Sequence, residues 1–109
     1  MDSTNITWRV NNYERTRTTI TTQFTKLLNK LNNHEIDPGQ VDGCLKNLDS
    51  IWTKFVEVQE NIELLTNDTE LDDEINYKMD IEEVFIKLKI MLQAVATYFT
   101  FEFKTWNPG

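Results

Sequence analysis

The sequence predicts an all-α fold: an elongated antiparallel three-helix bundle or coiled-coil hairpin with an aromatic C-terminal tail. Three observations predict it. Apolar side chains recur at alternating steps of three and four residues along three long segments. Only short polar breaks separate these segments, so consecutive helices are expected to be antiparallel neighbours. The 109 residues include only three Gly and two Pro, and a chain of this length can bury one core without metal or disulfide.

The first helix is predicted over residues 11–33, where the apolar positions follow one stripe. The stripe comprises Val10, Tyr13, Arg17, Ile20, Phe24, Leu27 and Leu31. We expect the aliphatic stem of Arg17 to cover the apolar side chains beside it. The Thr-rich stretch 15–22 mildly disfavours a helix, because β-branched side chains lose rotamer freedom there, and a strand is the competing prediction. A period of two does not continue beyond Thr22, which favours the helix.

The second helix is predicted over residues 38–66, a length of roughly 40 Å. Asp37 is a suitable N-cap, Pro38 suits the first helical position, and Gln40 completes a capping box. The stripe of this helix comprises Val41, Leu45, Leu48, Trp52, Phe55, Gln59 and Ile62. A helix this long is typical of a coiled-coil hairpin rather than of an ordinary globular domain.

The third helix is predicted over residues 69–97, which completes a bundle that spans residues 1–97. Thr69 and Asp72 resemble a capping pair, and the neighbouring acidic residues favour the positive end of the helix dipole. The stripe comprises Leu71, Ile75, Lys78, Ile81, Phe85, Leu88, Leu92, Val95 and Phe99. Lys78 is the only charged residue in it.

A common core is predicted where the three stripes meet. We expect its large side chains to be mostly buried. They are Phe24, Leu27, Leu31, Leu48, Trp52, Phe55, Ile62, Phe85, Leu88 and Leu92.

Residues 98–109 form an aromatic tail or linker. Phe99, Phe101 and Phe103 alternate with polar residues, a period that is typical of a strand. A strand needs a partner edge, which three helices do not offer, so pairing with a neighbouring molecule is one interpretation. The alternatives are that the segment folds back on the bundle, that it extends the third helix, or that it begins a following domain.

Self-association is predicted through two sets of apolar residues. Four aliphatic residues lie beside the main stripes and would form a contact surface if they are exposed in the monomer. They are Ile51, Val58, Ile86 and Ile90. The tail adds five aromatic residues, which are common anchors at interfaces. They are Tyr98, Phe99, Phe101, Phe103 and Trp106. The expected partner is a second copy, in a homo-oligomer, or a partner helix.

The charge distribution argues against nucleic-acid binding by this domain. The chain has 11 basic and 18 acidic residues, a net charge of −7, and therefore repels phosphate backbones. Residues 1–33 carry five bases and two acids, whereas residues 34–109 carry six bases and sixteen acids. The bases of the first helix are too dispersed for a strong membrane signal, and no apolar run is long enough to span a bilayer. The single Cys44 and the lack of a secretory leader predict a cytoplasmic, intracellular protein.

No catalytic residue, cofactor site or metal site is predicted, and we expect the chain not to be an enzyme. The only histidine, His34, lies in a polar loop, and metal sites require several ligands at turn-related spacings. Cys44 lies beside a helix stripe, which is typical of a buried, inert thiol. The acidic clusters lack the glycine of a calcium loop.

The order of residues from Arg15 to Leu92 resembles the N-terminal helical, matrix-like region of Gag-like polyproteins of insect LTR retrotransposons, of the BEL/Pao type and relatives. The motifs that carry this resemblance are Arg15-Thr16-Arg17, Gln23-Phe24-Thr25-Lys26-Leu27, Leu45-Lys46-Asn47-Leu48 with Trp52-Thr53-Lys54-Phe55, Val58-Gln59-Glu60-Asn61-Ile62-Glu63 and Phe85-Ile86-Lys87-Leu88-Lys89. The Thr-rich first helix and the aromatic tail depart from the family pattern, and no zinc knuckle or protease motif is present.

The resemblance implies a structural self-assembly domain of a retroelement, or of a host gene derived from one. The alternative is a helical protein–protein interaction adaptor of unrelated origin that binds a partner helix.

Overall fold

The computed structural model describes the backbone of residues 3–105 and the side chains of residues 7–97. Three α-helices account for most of this part of the chain. They are α1 (Ser3–Asn32), α2 (Val41–Leu65) and α3 (Asp68–Thr105), with one 3-10 turn, Pro38–Gln40, before α2. Residues 3–105 contain no strand. The predicted all-α bundle of three helices is confirmed.

The outer ends of α1 and α3 extend beyond the predicted limits. The first helix begins at Ser3 rather than at residue 11, and the third continues to Thr105 rather than ending at residue 97. The backbone of residues 99–103 is therefore helical, and the strand prediction for this segment is wrong. A helix satisfies its N–H and C=O groups internally, whereas a strand at this point would need the edge of a sheet. The side chains of the aromatic tail lie outside the described residues.

The threonines of α1 form hydrogen bonds that are compatible with a helix. Four Thr hydroxyls donate to the carbonyl oxygen four residues earlier, as a helical side chain can but a strand side chain cannot. These bonds run from Thr16 to Asn12 (3.2 Å), Thr18 to Glu14 (3.0 Å), Thr19 to Arg15 (3.1 Å) and Thr25 to Thr21 (3.1 Å). The competing strand prediction for this stretch is wrong, because the side chains join the helical hydrogen-bond pattern.

The C-terminus of α1 is closed by His34 in a left-handed conformation, with φ 57°. The His34 N–H donates to the Leu31 carbonyl at 3.2 Å, and the Glu35 N–H donates to the Lys30 carbonyl at 2.8 Å. This pair of bonds is the Schellman motif, which satisfies carbonyls that the helix leaves free. The exposed His34 therefore caps the C-terminus of α1.

Replacing His34 by glycine should stabilise the protein. A residue with a Cβ is strained at positive φ, whereas glycine adopts this conformation freely, so His34→Gly should raise the free energy of unfolding by up to about 1 kcal/mol. Urea denaturation followed by circular dichroism measures the change. His34→Val is the matched control and should destabilise, since β-branched residues tolerate positive φ least. If both variants shift the midpoint equally, the left-handed cap does not form.

The starts of α2 and α3 differ in how well they were predicted. The predicted capping box between Asp37 and Gln40 is present, and the Asp37 N–H donates to Gln40 Oε1 at 3.1 Å. The third helix is capped by Asn67, whose Oδ1 accepts from the Glu70 N–H at 3.0 Å. The prediction of a Thr69–Asp72 capping pair is wrong, because the Thr69 hydroxyl also donates to Asn67 Oδ1, at 2.7 Å.

The core follows the predicted stripes in all three helices. Its buried apolar side chains are Ile20, Phe24, Leu31, Val41, Leu48, Phe55, Val58, Ile62, Phe85, Leu88 and Leu92. Leu27 and Trp52 were also predicted to be mostly buried but are only half-buried. Both pack against the core from its edge.

Aromatic rings link the three helices in a row through the middle of the bundle. Trp52 lies against Phe85 with ring centroids 4.6 Å apart and against Phe55 at 5.2 Å. The row is extended by Phe24 of α1, 6.4 Å from Phe85, and by Tyr77 of α3, 6.4 Å from Phe55. Such ring pairs add to the stabilisation that area burial alone provides.

The molecule is long and narrow, with extents of 75 × 21 × 20 Å. The longest helix, α3, accounts for about 57 Å of this length at about 1.5 Å per residue. The helices are therefore staggered along the long axis, and a large share of their side surface is open to other molecules.

Candidate functional site

A largely buried group of polar side chains joins the three helices, near the middle of α1, the end of α2 and the start of α3. We call Arg17, Gln59 and Glu74 the polar node. Arg17 Nη1 lies 2.6 Å from Glu74 Oε2 and donates to Gln59 Oε1 at 3.0 Å. Gln59 Nε2 donates to the Glu74 carbonyl oxygen at 3.0 Å and to its Oε2 at 3.1 Å. Since Gln59 is completely buried, its side chain depends on these partners.

The guanidinium of Arg17 also lies over the ring of Tyr77, 4.3 Å from its centroid. Arg17 was expected to cover the apolar stripe with its stem, and its ion pair across the bundle was not predicted. The contact of Glu74 with Arg17 was not predicted either. Glu74 is one of the acidic residues near the start of α3 for which only an interaction with the helix dipole was predicted. The available signal was that Arg17 and Gln59 occupy stripe positions, where a polar side chain needs a partner from another helix.

A row of exposed aliphatic side chains lies on the face of α3 that points away from the core. We call Ile75, Met79, Ile86 and Ile90 the outer stripe. Their exposed fractions are 40%, 59%, 47% and 60%. At about 100° per residue these positions fall within about 60° of one another around the helix. The third helix is thus apolar on two separate faces, and only one of them is covered by α1 and α2.

The outer stripe includes two of the predicted self-association residues and excludes two others. Ile86 and Ile90 are exposed, as the predicted contact surface requires. Val58 is buried against the other helices, since the core-facing side of α2 is wide enough to include Val58 beside Phe55. Ile51 is half-buried and packs against the core. The four residues therefore do not form one exposed strip, as the predicted contact surface would require, and a role of Ile51 and Val58 in association stays a prediction.

The remaining predicted association residues are the tail aromatics, whose side chains lie outside the described residues. They are Tyr98, Phe99, Phe101, Phe103 and Trp106. Their role in association stays a prediction.

Carboxylates interrupt the outer stripe at its centre. The segment 79–86 contains Asp80, Glu82 and Glu83 and no base. By helical position, Glu82 and Glu83 lie about 20° beyond the two opposite edges of the stripe; both are exposed. The surface therefore combines aliphatic side chains with negative charge, a combination that selects a partner that is both apolar and basic.

An open cleft of about 240 Å³ lies between α1 and α2. We call it the basic cleft. Its apolar wall includes Leu27, Ile36 and Ile51, and Lys26 and Lys30 line it from α1. The described residues that line it all belong to α1, α2 and the loop between them, so the cleft lies on the side of this helix pair opposite α3. Its volume is below the about 300–1,000 Å³ of most small-molecule sites.

The histidine and the cysteine, which are the usual candidates for metal binding or nucleophilic catalysis, lie apart from each other. His34 is at the exposed end of α1, whereas Cys44 is half-buried in the wall of the basic cleft. Within the described part of the chain, no three His, Cys, Asp or Glu side chains gather closely enough to hold a metal ion. None of the helices there has a stretch both long and apolar enough to cross a membrane.

Comparison with protein-family models, with curated proteins and with solved structures found no significant match for this chain. The geometry of the described residues therefore carries the functional argument.

Proposed function

We propose that this protein is a non-enzymatic self-association domain whose copies contact one another through the outer stripe. The observation that carries the proposal is the exposure of four large aliphatic side chains on one face of α3. Large aliphatic side chains exposed on one face of a helix and bordered by polar residues are typical of protein–protein contacts. Burying it in an assembly removes apolar area from water, at about 25 cal/mol per Å².

The finer form of the proposal is a Gag-like assembly domain in the cytoplasm. It rests on the resemblance between residues 15–92 and the matrix-like region of retrotransposon Gag proteins. The slender shape and the uncovered face of α3 suit a domain that packs side by side with its copies. A helical adaptor that binds a different protein is the alternative, and the association measurements below separate the two.

The wild-type chain should form species larger than a monomer at high-micromolar concentration, as measured by sedimentation velocity or light scattering. Ile86→Ser with Ile90→Ser should weaken this association by about tenfold or more, since each substitution removes an aliphatic side chain that the contact would bury. Because both residues are exposed, the helical content and the melting temperature should stay close to those of the wild type.

Leu64→Ser is the control, because it makes the same change from an aliphatic residue to serine outside the outer stripe. Leu64 is also exposed but lies at the end of α2, away from the outer stripe. It should leave association unchanged. A wild-type chain that stays strictly monomeric would contradict self-association and favour the adaptor. Particles or filaments seen by negative-stain electron microscopy would support the Gag-like form.

A further inference from the structure

We infer that association is head-to-tail, with the outer stripe of one copy seated in the basic cleft of the next. The inference rests on the proposed self-association function and specifies the partner surface. Two observations carry it: the carboxylates at the centre of the outer stripe, and a cleft of opposite charge elsewhere on the same molecule that matches the central part of the stripe in length.

Symmetric pairing of two outer stripes places like charges together. In an antiparallel pair that aligns all four aliphatic positions, the symmetry axis passes between Glu82 and Glu83, and each of these glutamates faces its own copy across the axis. In a parallel pair in register, Glu82 of each copy faces Glu83 of the other. Like charges brought together in this way work against an interface. The outer stripe is therefore poorly suited to bind itself.

The basic cleft has the complementary charge. Residues 23–30 of α1 contain Lys26 and Lys30 and no acid, whereas residues 79–86 contain three acids and no base. Lys26 and Lys30 are both exposed and lie one helical turn apart. A helix laid along the cleft can therefore place Glu82 and Glu83 near two ammonium groups while its aliphatic side chains enter the apolar wall.

The cleft matches the central part of the outer stripe in length. Met79 and Ile86, which lie on either side of the two glutamates, are seven residues apart, about 10 Å along the helix. The cleft extends from Gln23 to Lys30 along α1, also seven residues. Its volume of about 240 Å³ suits a few aliphatic side chains rather than a cofactor.

Because the cleft is lined by α1, α2 and the loop between them and the outer stripe lies on α3, the two surfaces share no residue, and one copy can use both at once. In a dimer formed by a contact between two different surfaces, one copy of each surface stays unoccupied. Such a contact therefore continues into a ring or an open chain. The average mass of the wild-type chain should accordingly keep rising with concentration beyond that of a dimer.

A mixing experiment tests the inference. The cleft variant, Lys26→Glu with Lys30→Glu, keeps its outer stripe, and the stripe variant, Ile86→Ser with Ile90→Ser, keeps its cleft. Each alone should associate at least about tenfold more weakly than the wild type. Mixed at equal concentration, the two variants should form a one-to-one complex that does not grow further, because each contributes one intact surface.

Two controls separate this contact from general charge effects and from a two-fold contact. Arg9→Glu with Arg15→Glu makes the same change in net charge at exposed positions that do not line the cleft and should leave association near the wild-type level. Glu82→Gln with Glu83→Gln should weaken a head-to-tail contact but strengthen a symmetric one. Circular dichroism of every variant shows whether the helices are retained.

Several results would overturn the inference. If the wild type associates and the cleft variant associates equally well, the cleft is not the partner surface, although self-association stands. Strengthening by the glutamine variant would indicate symmetric pairing. A strictly monomeric wild type would refute both this inference and the proposed function.

Discussion

Phe55→Ala should lower the free energy of unfolding by about 3–5 kcal/mol, the range for removing a buried phenylalanine ring. Phe55 is completely buried at the middle of α2. Its ring lies between those of Trp52 and Tyr77, so the substitution opens a cavity and breaks the aromatic row between α2 and α3. Small domains are stable by only about 5–15 kcal/mol, so this loss should be plain in a denaturation curve.

Urea denaturation, followed by the circular dichroism signal of the helices, measures the effect of Phe55→Ala. Lys54→Ala, at the adjacent exposed position, is the control and should change stability by less than about 0.5 kcal/mol. A loss under about 1 kcal/mol for Phe55→Ala would contradict the position of this ring in the core. An unchanged m-value for both variants would show that the comparison concerns stability alone.

The course of the helices could be predicted from the sequence because apolar periodicity reports which face is buried. Phe24, Phe55 and Leu88 are placed correctly by spacing alone, since each belongs to a stripe that repeats over several turns. The outer ends of the helices could not be predicted this way. Residues 3–9 and 100–105 are helical in the backbone beyond the ends of the predicted stripes, so local hydrogen bonding extends the helix where no packing pattern marks it.

The candidate surfaces were only partly predictable, for a related reason. Spacing identified Ile86 and Ile90 as residues beside the stripe, but it could not tell whether a neighbouring helix covers them. Val58 has the same kind of position on α2 and is buried, because α2 packs against both other helices over a wide face. The basic cleft was not predicted at all, since it depends on how α1 and α2 splay on the side opposite α3.

The polar node could be predicted only in part: the sequence identified two of its members but not their contact. Arg17 and Gln59 were recognised as members of apolar stripes, yet their mutual contact depends on the relative alignment of the helices. A polar residue at a seam position commonly specifies such an alignment at some expense of stability. With Glu74, the two residues join one level of α1, α2 and α3 through hydrogen bonds that a longitudinal slip of any helix would break.

Arg17→Met should destabilise the protein by about 3 kcal/mol, the second large effect that we expect. Methionine keeps an apolar stem but removes the guanidinium, so the Glu74 carboxylate and Gln59 Oε1 lose their partner inside the bundle. Removing one member of a buried ion pair usually costs about 3–5 kcal/mol. The lower end applies here, because the side chains of Arg17 and Glu74 remain 15% and 20% exposed. Urea denaturation measures the loss, and Arg15→Met, at an exposed position of the same helix, is the matched control.

Replacing the whole polar node separates stability from helix alignment. Arg17→Met, Gln59→Leu and Glu74→Leu together leave no unpaired charge, so the triple variant should regain most of the stability that Arg17→Met alone loses. The alignment of the helices should then be less well defined, and amide resonances in a ¹⁵N correlation spectrum should broaden or double near the substituted level. A triple variant with a single sharp set of resonances would contradict a role in alignment. A loss below about 0.5 kcal/mol for Arg17→Met would show that water, rather than Glu74 and Gln59, solvates the guanidinium.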